Sequence, residues 1–258
     1  MSELVEVAGR QFIPTAELAI PHWGSASGDR PQPTLTIKDD DLFLITDTVG
    51  NIADSGVSHG AIGTLGLFCR DTRFLSRLEM QIEHQSPILL ASSADSGFAI
   101  QVLCANPYIS DEFPAETLGI EREIVLNGGM FEEITIHNYS TKKIECELSI
   151  SFAADFADLF EVRGSKRDRR GTPWHEVHAQ TGVLDTSPNG FTLAYRGLDD
   201  VFRESRLEFC HQLPARFHGY TAVWHIELAP HDSCQLGYRL QMLLDERPAS
   251  RVAVPATL

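Results

Sequence analysis

The chain has 258 residues, 43% of them hydrophobic, and a formal net charge of −15 from 36 Asp and Glu against 21 Lys and Arg. That suffices for a sizeable core in one or two domains, and the acidic balance excludes nucleic acid as the expected partner while leaving neutral polymers such as polysaccharides unpenalised. No apolar run approaches the roughly 20 residues that cross a bilayer, and the start, MSELVEVAGRQFIPTAELAI, has acids where a secretory signal has basic residues, so the reading is cytoplasmic with no membrane partner.

Residues 1–34 carry Pro14, Pro21, Pro31 and Pro33 and read as an extended N-terminal arm. LTIKDDDLFLIT reads as a hairpin. LEMQIE then alternates, with Leu78, Met80 and Ile82 on one side; HQSP turns, and ILLASS follows as its expected partner strand. In TLGIEREIVL, Leu118, Ile120, Arg122, Ile124 and Leu126 share a face. NGG at 127–129 is a hairpin signal, and MFEEITIHN returns. NYSTKK turns again into IECELSISF, so three strands in meander order are expected. The stretch 164–190 reads as a long excursion with a possible short strand inside. GFTLAYRG, SRLEFC, YTAVWHIEL and CQLGYRLQML read as further strands, and 246–258 as a linker or tail. No stretch sustains helical periodicity. The expected fold is all-β: a large antiparallel β-sandwich over 35–245 with few short helices.

Two charged knots stand out. GTLGLFCRDTRFLSRLEM sets Arg70, Asp71, Arg73 and Arg77 among apolar residues, and charges so close to a core must be paired or lie at a surface that matters. SFAADFADLFEVRG holds Asp155, Asp158, Glu161 and Arg163. Extended, that run sinks Asp158 among Phe152, Phe156 and Phe160; as a helical turn it puts Phe156, Leu159 and Phe160 on one side and Asp158 and Glu161 on the other. Paired carboxylates suit acid–base work on a glycosidic bond. The alternative is that they neutralise Arg70, Arg73 or Arg163 in one structural network, which could also form a domain or ligand interface.

Trp174 is a candidate for stacking on a sugar face, against a plain loop-anchoring role. WHEVH lacks the helical H-E-x-x-H spacing, so no metal is expected. Five cysteines, an odd number without C-x-x-C, disfavour a disulfide framework, and Cys146 falls in phase with Ile144 and Leu148 as a buried thiol. KRDRR at 166–170 is a basic island that suits a solvated loop or an acidic neighbour. No nucleophile elbow, P-loop or dinucleotide pattern occurs, so no cofactor is expected.

GLFCRDTRFLSRLEM, LNGGMFEEITIHNYS, SFAADFADLFEVRG and LAYRGLDD, in that order over roughly 38–245, resemble the N-terminal domain of bacterial-type glycogen debranching (amylo-α-1,6-glucosidase-like) enzymes. The most diagnostic pieces are R-D-T-R-F-L-S at 70–76 and D-F-A-D-x-F-E-V-R-G at 155–164. The resemblance implies a large β-sandwich placed ahead of an (α/α) barrel, with the glycoside hydrolase carboxylates on the barrel. The sequence shows no helical-hairpin repeats after 245, so no catalytic residue is carried over. The expected function is a non-catalytic domain with a barrel glucosidase partner, in cis or trans, and α-glucan as a further contact. The alternatives are an independent carbohydrate-binding module that brings enzymes to glycogen, and a stand-alone hydrolase built on Asp155, Asp158 and Glu161.

Overall fold

The computed structural model describes residues 5–7, 9–14, 33–53, 63–178 and 189–251. Pro21 and Pro31 of the expected arm, 179–188 of the expected excursion and 252–258 of the expected tail lie outside them. In chain order the strands are β1 (Val5–Val7), β2 (Arg10–Pro14), β3 (Thr34–Asp39), β4 (Leu42–Asp47), β5 (Gly66–Cys69), β6 (Thr72–Leu75), β7 (Arg77–Ile82), β8 (Ile88–Ser93), β9 (Ala99–Ala105), β10 (Leu118–Leu126), β11 (Met130–Asn138) and β12 (Ile144–Ala153). A single helical turn, α1 (Leu159–Val162), precedes β13 (Thr172–His178), β14 (Gly190–Arg196), β15 (Phe202–His211), β16 (Arg216–His218), β17 (Thr221–Leu228), β18 (Ser233–Leu244) and β19 (Arg247–Pro248).

Every pairing is antiparallel. One large sheet runs β1-β2-β13-β14-β15-β18-β11-β10-β9-β8, with β19 paired to β18. Opposite it stand two four-stranded sheets, β16-β17-β12-β7 and β3-β4-β5-β6, and Ile52, in the segment after β4, bridges to Leu78 of β7. Alternate residues of all three sheets meet in one core, among them Leu44, Phe74, Met80, Ile120, Ile134, Phe152, Trp224 and Leu240. Fully burying a side chain of this size contributes about 1.5–3 kcal/mol, which is why period-2 alternation specifies both sheet faces so firmly. This is the all-β sandwich that the alternation implies.

The pairing differs from expectation at two places. ILLASS does not fold back on LEMQIE: β7 pairs with β12, while β8 forms the edge of the large sheet against β9. IECELSISF does not complete a meander. β10 and β11 form the NGG hairpin, but β12 crosses to the opposite sheet and pairs with β7 and β17. Asn138 fixes the crossover, its Nδ2 donating to the carbonyls of Lys142 (2.8 Å), Leu228 (3.2 Å) and Ala229 (3.0 Å). The hydrophobic period is the same whichever sheet a strand joins, so it cannot report the partner.

Within the expected arm, β2 pairs with β13, and within the expected tail β19 pairs with β18. Inside 164–190 the short strand is β13, paired along its length with β14. All five cysteines are free, and burial pushes the Cys146 thiol up to about 12. No described helix is long and apolar enough to cross a membrane.

Candidate functional site around the α1 turn

The helical alternative for SFAADFADLFEVRG is the one adopted, for a local reason. Asp158 caps the turn: its Oδ1 accepts from the amides of Phe160 (2.8 Å) and Glu161 (2.9 Å), while Glu161 Oε2 accepts from the Asp158 amide (3.1 Å). This reciprocal D-x-x-E box satisfies donors that a four-residue helix would otherwise leave open. Gly164, at φ 98°, then takes the left-handed position that ends it. Phe156 and Val162 are buried, but Phe160 points outward at 67% exposure and Glu161 inward at 9%, the reverse of the expected facing.

The first knot meets this turn. Arg70 and Asp71 are the two loop residues of the β5–β6 hairpin, both left-handed (φ 45° and 64°), as a type I′ turn requires. Asn-Gly is the usual occupant, so this pair holds a mildly strained backbone, and the Leu159 amide clamps it by donating to Asp71 O at 3.0 Å. A bridge between Thr72 and Asp158 extends the contact.

Arg73 is buried, with 3% of its surface exposed. Its Nε donates to Asp155 Oδ1 at 3.0 Å and its Nη2 to Oδ2, a two-point pair, while Nη1 donates to the carbonyls of Gly63 (2.6 Å) and Leu65 (3.1 Å). The planar fork suits this geometry where a lysine would not. Gly66 lies beneath the stem, since a Cβ there would sit 2.5 Å from Arg73 Cδ. Of the glycines of GTLGLF, Gly66 thus makes room for an arginine and Gly63 gives it a carbonyl.

The basic island supplies the next layer. Arg167 pairs with Asp158, and Arg170 pairs with Glu161 at 3.2 Å and donates to Asp155 O. Arg170 also lies over the Tyr195 ring at 5.8 Å, and that ring stacks on Phe156 at 5.6 Å and 8°. Phe156 is itself left-handed (φ 50°), an unusual state for an aromatic residue. Arg203 grips Asp199 at 2.8 and 3.0 Å, and the salt bridge holds the Asp199 carboxyl below the usual range. Between these groups lies an open cleft of about 220 Å³, and Leu198 stands at its rim, 62% exposed.

Asp155, Asp158 and Glu161 therefore each face an arginine, and two also hold the turn's backbone. That is ion-pairing geometry, and Asp158 and Glu161 also line the cleft. Arg70 lies apart from the carboxylates expected for it, pairing instead with Asp41 at 3.5 Å. Arg163 is exposed at the end of α1. Trp174, on β13, is half-buried in a small cluster on the outer face of the large sheet, 6.5 Å from Phe12 and 6.1 Å from Phe202.

Two other charged groups were missed as sites. Arg122 and Glu132 form a fully buried pair (Nε–Oε1 2.6 Å), with Tyr238 OH donating to Glu132 and Arg122 reaching Val49 O (2.7 Å), Asn51 Oδ1 (2.7 Å) and Gly50 O (3.2 Å). Burial pulls the Arg122 pKa down, yet Glu132 more than offsets this and leaves it raised. The signal was visible, since Arg122 stands in phase with Ile120 and Ile124. Arg10 also bonds Glu176 and the buried Glu204, tying β2 to β13 and β15; a strand as short as β2 carries no such pattern. No cluster of three His, Cys, Asp or Glu among the described residues could hold a metal ion.

Residues 37–239 match the family described as the N-terminal domain of (some) glycogen debranching enzymes. The chain belongs to that family. A solved structure described as a candidate kojibiose phosphorylase from the human microbiome is similar to it at 8% identity and a TM-score of 0.48, over 82% of this chain and 30% of that one. The chain thus spans less than a third of that protein's length. No curated protein matches the chain.

Proposed function

We propose that this chain is the non-catalytic sandwich domain of a glycogen-debranching-type glycosidase, and that its α1 face is where an (α/α)-barrel catalytic domain packs, in cis or in trans. The observation that carries this reading is a convergence. Three motifs far apart in sequence, at 70–76, 155–164 and 193–200, meet around α1, where their carboxylates neutralise arginines and their apolar residues Phe160 and Leu198 face solvent. Exposed apolar side chains set among paired charges are the composition of an interdomain surface, which typically covers some 600–1,500 Å². The body of that unit is 35–245, with residues 1–34 and 246–258 as its flanks. Hydrolysis of branches belongs to the barrel in this reading, and the setting is cytoplasmic α-glucan metabolism.

The test is association with the helical catalytic domain encoded in the same or an adjacent reading frame. Phe160→Asp combined with Leu198→Asp leaves the core intact and should weaken binding at least roughly tenfold by calorimetry. Unchanged affinity would show that the partner docks elsewhere.

A further inference from the structure

The large sheet has a second face, turned away from the core. On it β9, β10 and β11 set Gly119 opposite Ala105 and His137, Glu121 opposite Leu103 and Thr135, and Glu123 opposite Gln101 and Glu133. An open groove of about 460 Å³, lined by Ser93, Gln101, Leu103, Glu121, Glu123, Glu133 and Thr135, begins two residues along β10 from Gly119. One residue past the end of β11, Tyr139 reaches back over Gly119. A Cβ at 119 would lie 2.5 Å from the Tyr139 ring, so only glycine lets the ring lie there. The ring stacks with His137 at 5.9 Å and 22°, and Tyr139 stays 62% exposed. Tyr108, three residues past the end of β9 and 56% exposed, emerges at the same end of the sheet.

We propose that this face binds a neutral pyranose oligosaccharide, with Tyr139 as the stacking platform and the groove taking the hydroxyls. The C–H edges on one side of a pyranose carry partial positive charge and suit the negative face of an aromatic ring. Along the same face from the platform, first Glu121 and Thr135 and then Glu123 and Gln101 are on the solvent side and make no side-chain hydrogen bond or ion pair among the described residues. Carboxylates accept two hydroxyl donors each, and Leu103, 38% exposed, offers an apolar patch between them. The charge selects the ligand class. Glu121, Glu123 and Glu133 on an acidic chain repel phosphorylated or carboxylated ligands, whereas the hydroxyls of a neutral sugar can donate to these carboxylates and exchange hydrogen bonds with Gln101 and Thr135. The site is independent of the α1 face, and its failure would leave the docking proposal standing.

The experiment titrates the whole chain with maltoheptaose and, separately, cellohexaose, following heat and the NMR signals of Tyr139 and His137. Saturable binding of either sugar is expected, at least roughly tenfold weaker in Tyr139→Ala and retained in Tyr139→Phe, which keeps the ring and checks the fold. Glu123→Ala, at an exposed strand position, should weaken it by a smaller factor. Binding of one sugar alone supports the site and assigns its linkage preference. No saturation by either sugar up to about 10 mM, or equal binding by Tyr139→Ala, overturns it. So does a Tyr139→Ala effect confined to association with another protein.

Discussion

Arg73 Nε lies 3.0 Å from Asp155 Oδ1 across 82 positions of sequence, inside a four-bond shell that also takes in the carbonyls of Gly63 and Leu65. It links β6 to the segment between β12 and α1, and so holds the α1 turn against the β5–β6 hairpin. Arg70 has no such shell: it is half exposed and, among the described residues, has Asp41 at 3.5 Å as its one ion-pair partner.

The two arginines should separate cleanly on mutation. Arg73→Ala strands part of Asp155 and two carbonyls and should cost about 2–4 kcal/mol in urea unfolding, whereas Arg70→Ala should cost under about 1 kcal/mol. A double-mutant cycle with Asp155→Ala isolates the pair from the lost stem packing. Coupling within error of zero would mean that the pair contributes nothing to stability.

Arg122 and Glu132 make a harsher test of the core. Arg122→Ala leaves a buried carboxylate unpaired and should destabilise by about 3–5 kcal/mol. Arg122→Met with Glu132→Leu should recover only part of this, because the arginine's bonds to the carbonyls of Val49 and Gly50 and to Asn51 Oδ1, which keeps the Met80 amide at 3.2 Å, are lost as well. Full recovery would show that those three contacts are unimportant.

The alternation of apolar residues made the strands legible, and the NGG turn made one hairpin legible as a pair. Sheet membership of β8 and β12 was not legible, since a side chain buried against either sheet obeys the same period. The ion pairs were legible as a need rather than as an assignment. Arginines among apolar residues demand partners, but only the fold sends Arg73 to Asp155 and Arg70 to Asp41. The α1 turn had a readable signal in D-x-x-E followed by glycine, while the outward facing of Phe160 depends on where the turn docks. The platform at Tyr139 had none, because the ring lies over a glycine on a neighbouring strand.

Asp47 carries a pH signature. Burial raises its pKa, against opposition from the amides of Asn51 and Val49 that bond its Oδ1 at 2.8 and 2.9 Å. The folded chain therefore holds this proton to higher pH than the unfolded chain does. Below the unfolded value near 3.9 both states are protonated, and stability falls as pH rises from there through the folded value. Asp47→Asn keeps both amide bonds and removes the titration. The stability of the natural chain relative to this variant should decline as pH rises from the unfolded value near 3.9. A flat or rising difference would contradict the desolvation of the half-buried Asp47.

Hydrogen–deuterium exchange of the chain, alone and with the helical catalytic domain, tests the proposed docking most directly. Amides of 156–172 and 195–203, which carry α1, the basic island and the Asp199–Arg203 pair, should gain protection on addition of that domain, while β8 and β9 at the far edge of the large sheet should not change. Protection confined to any other face, or none at saturating partner, would contradict docking at α1.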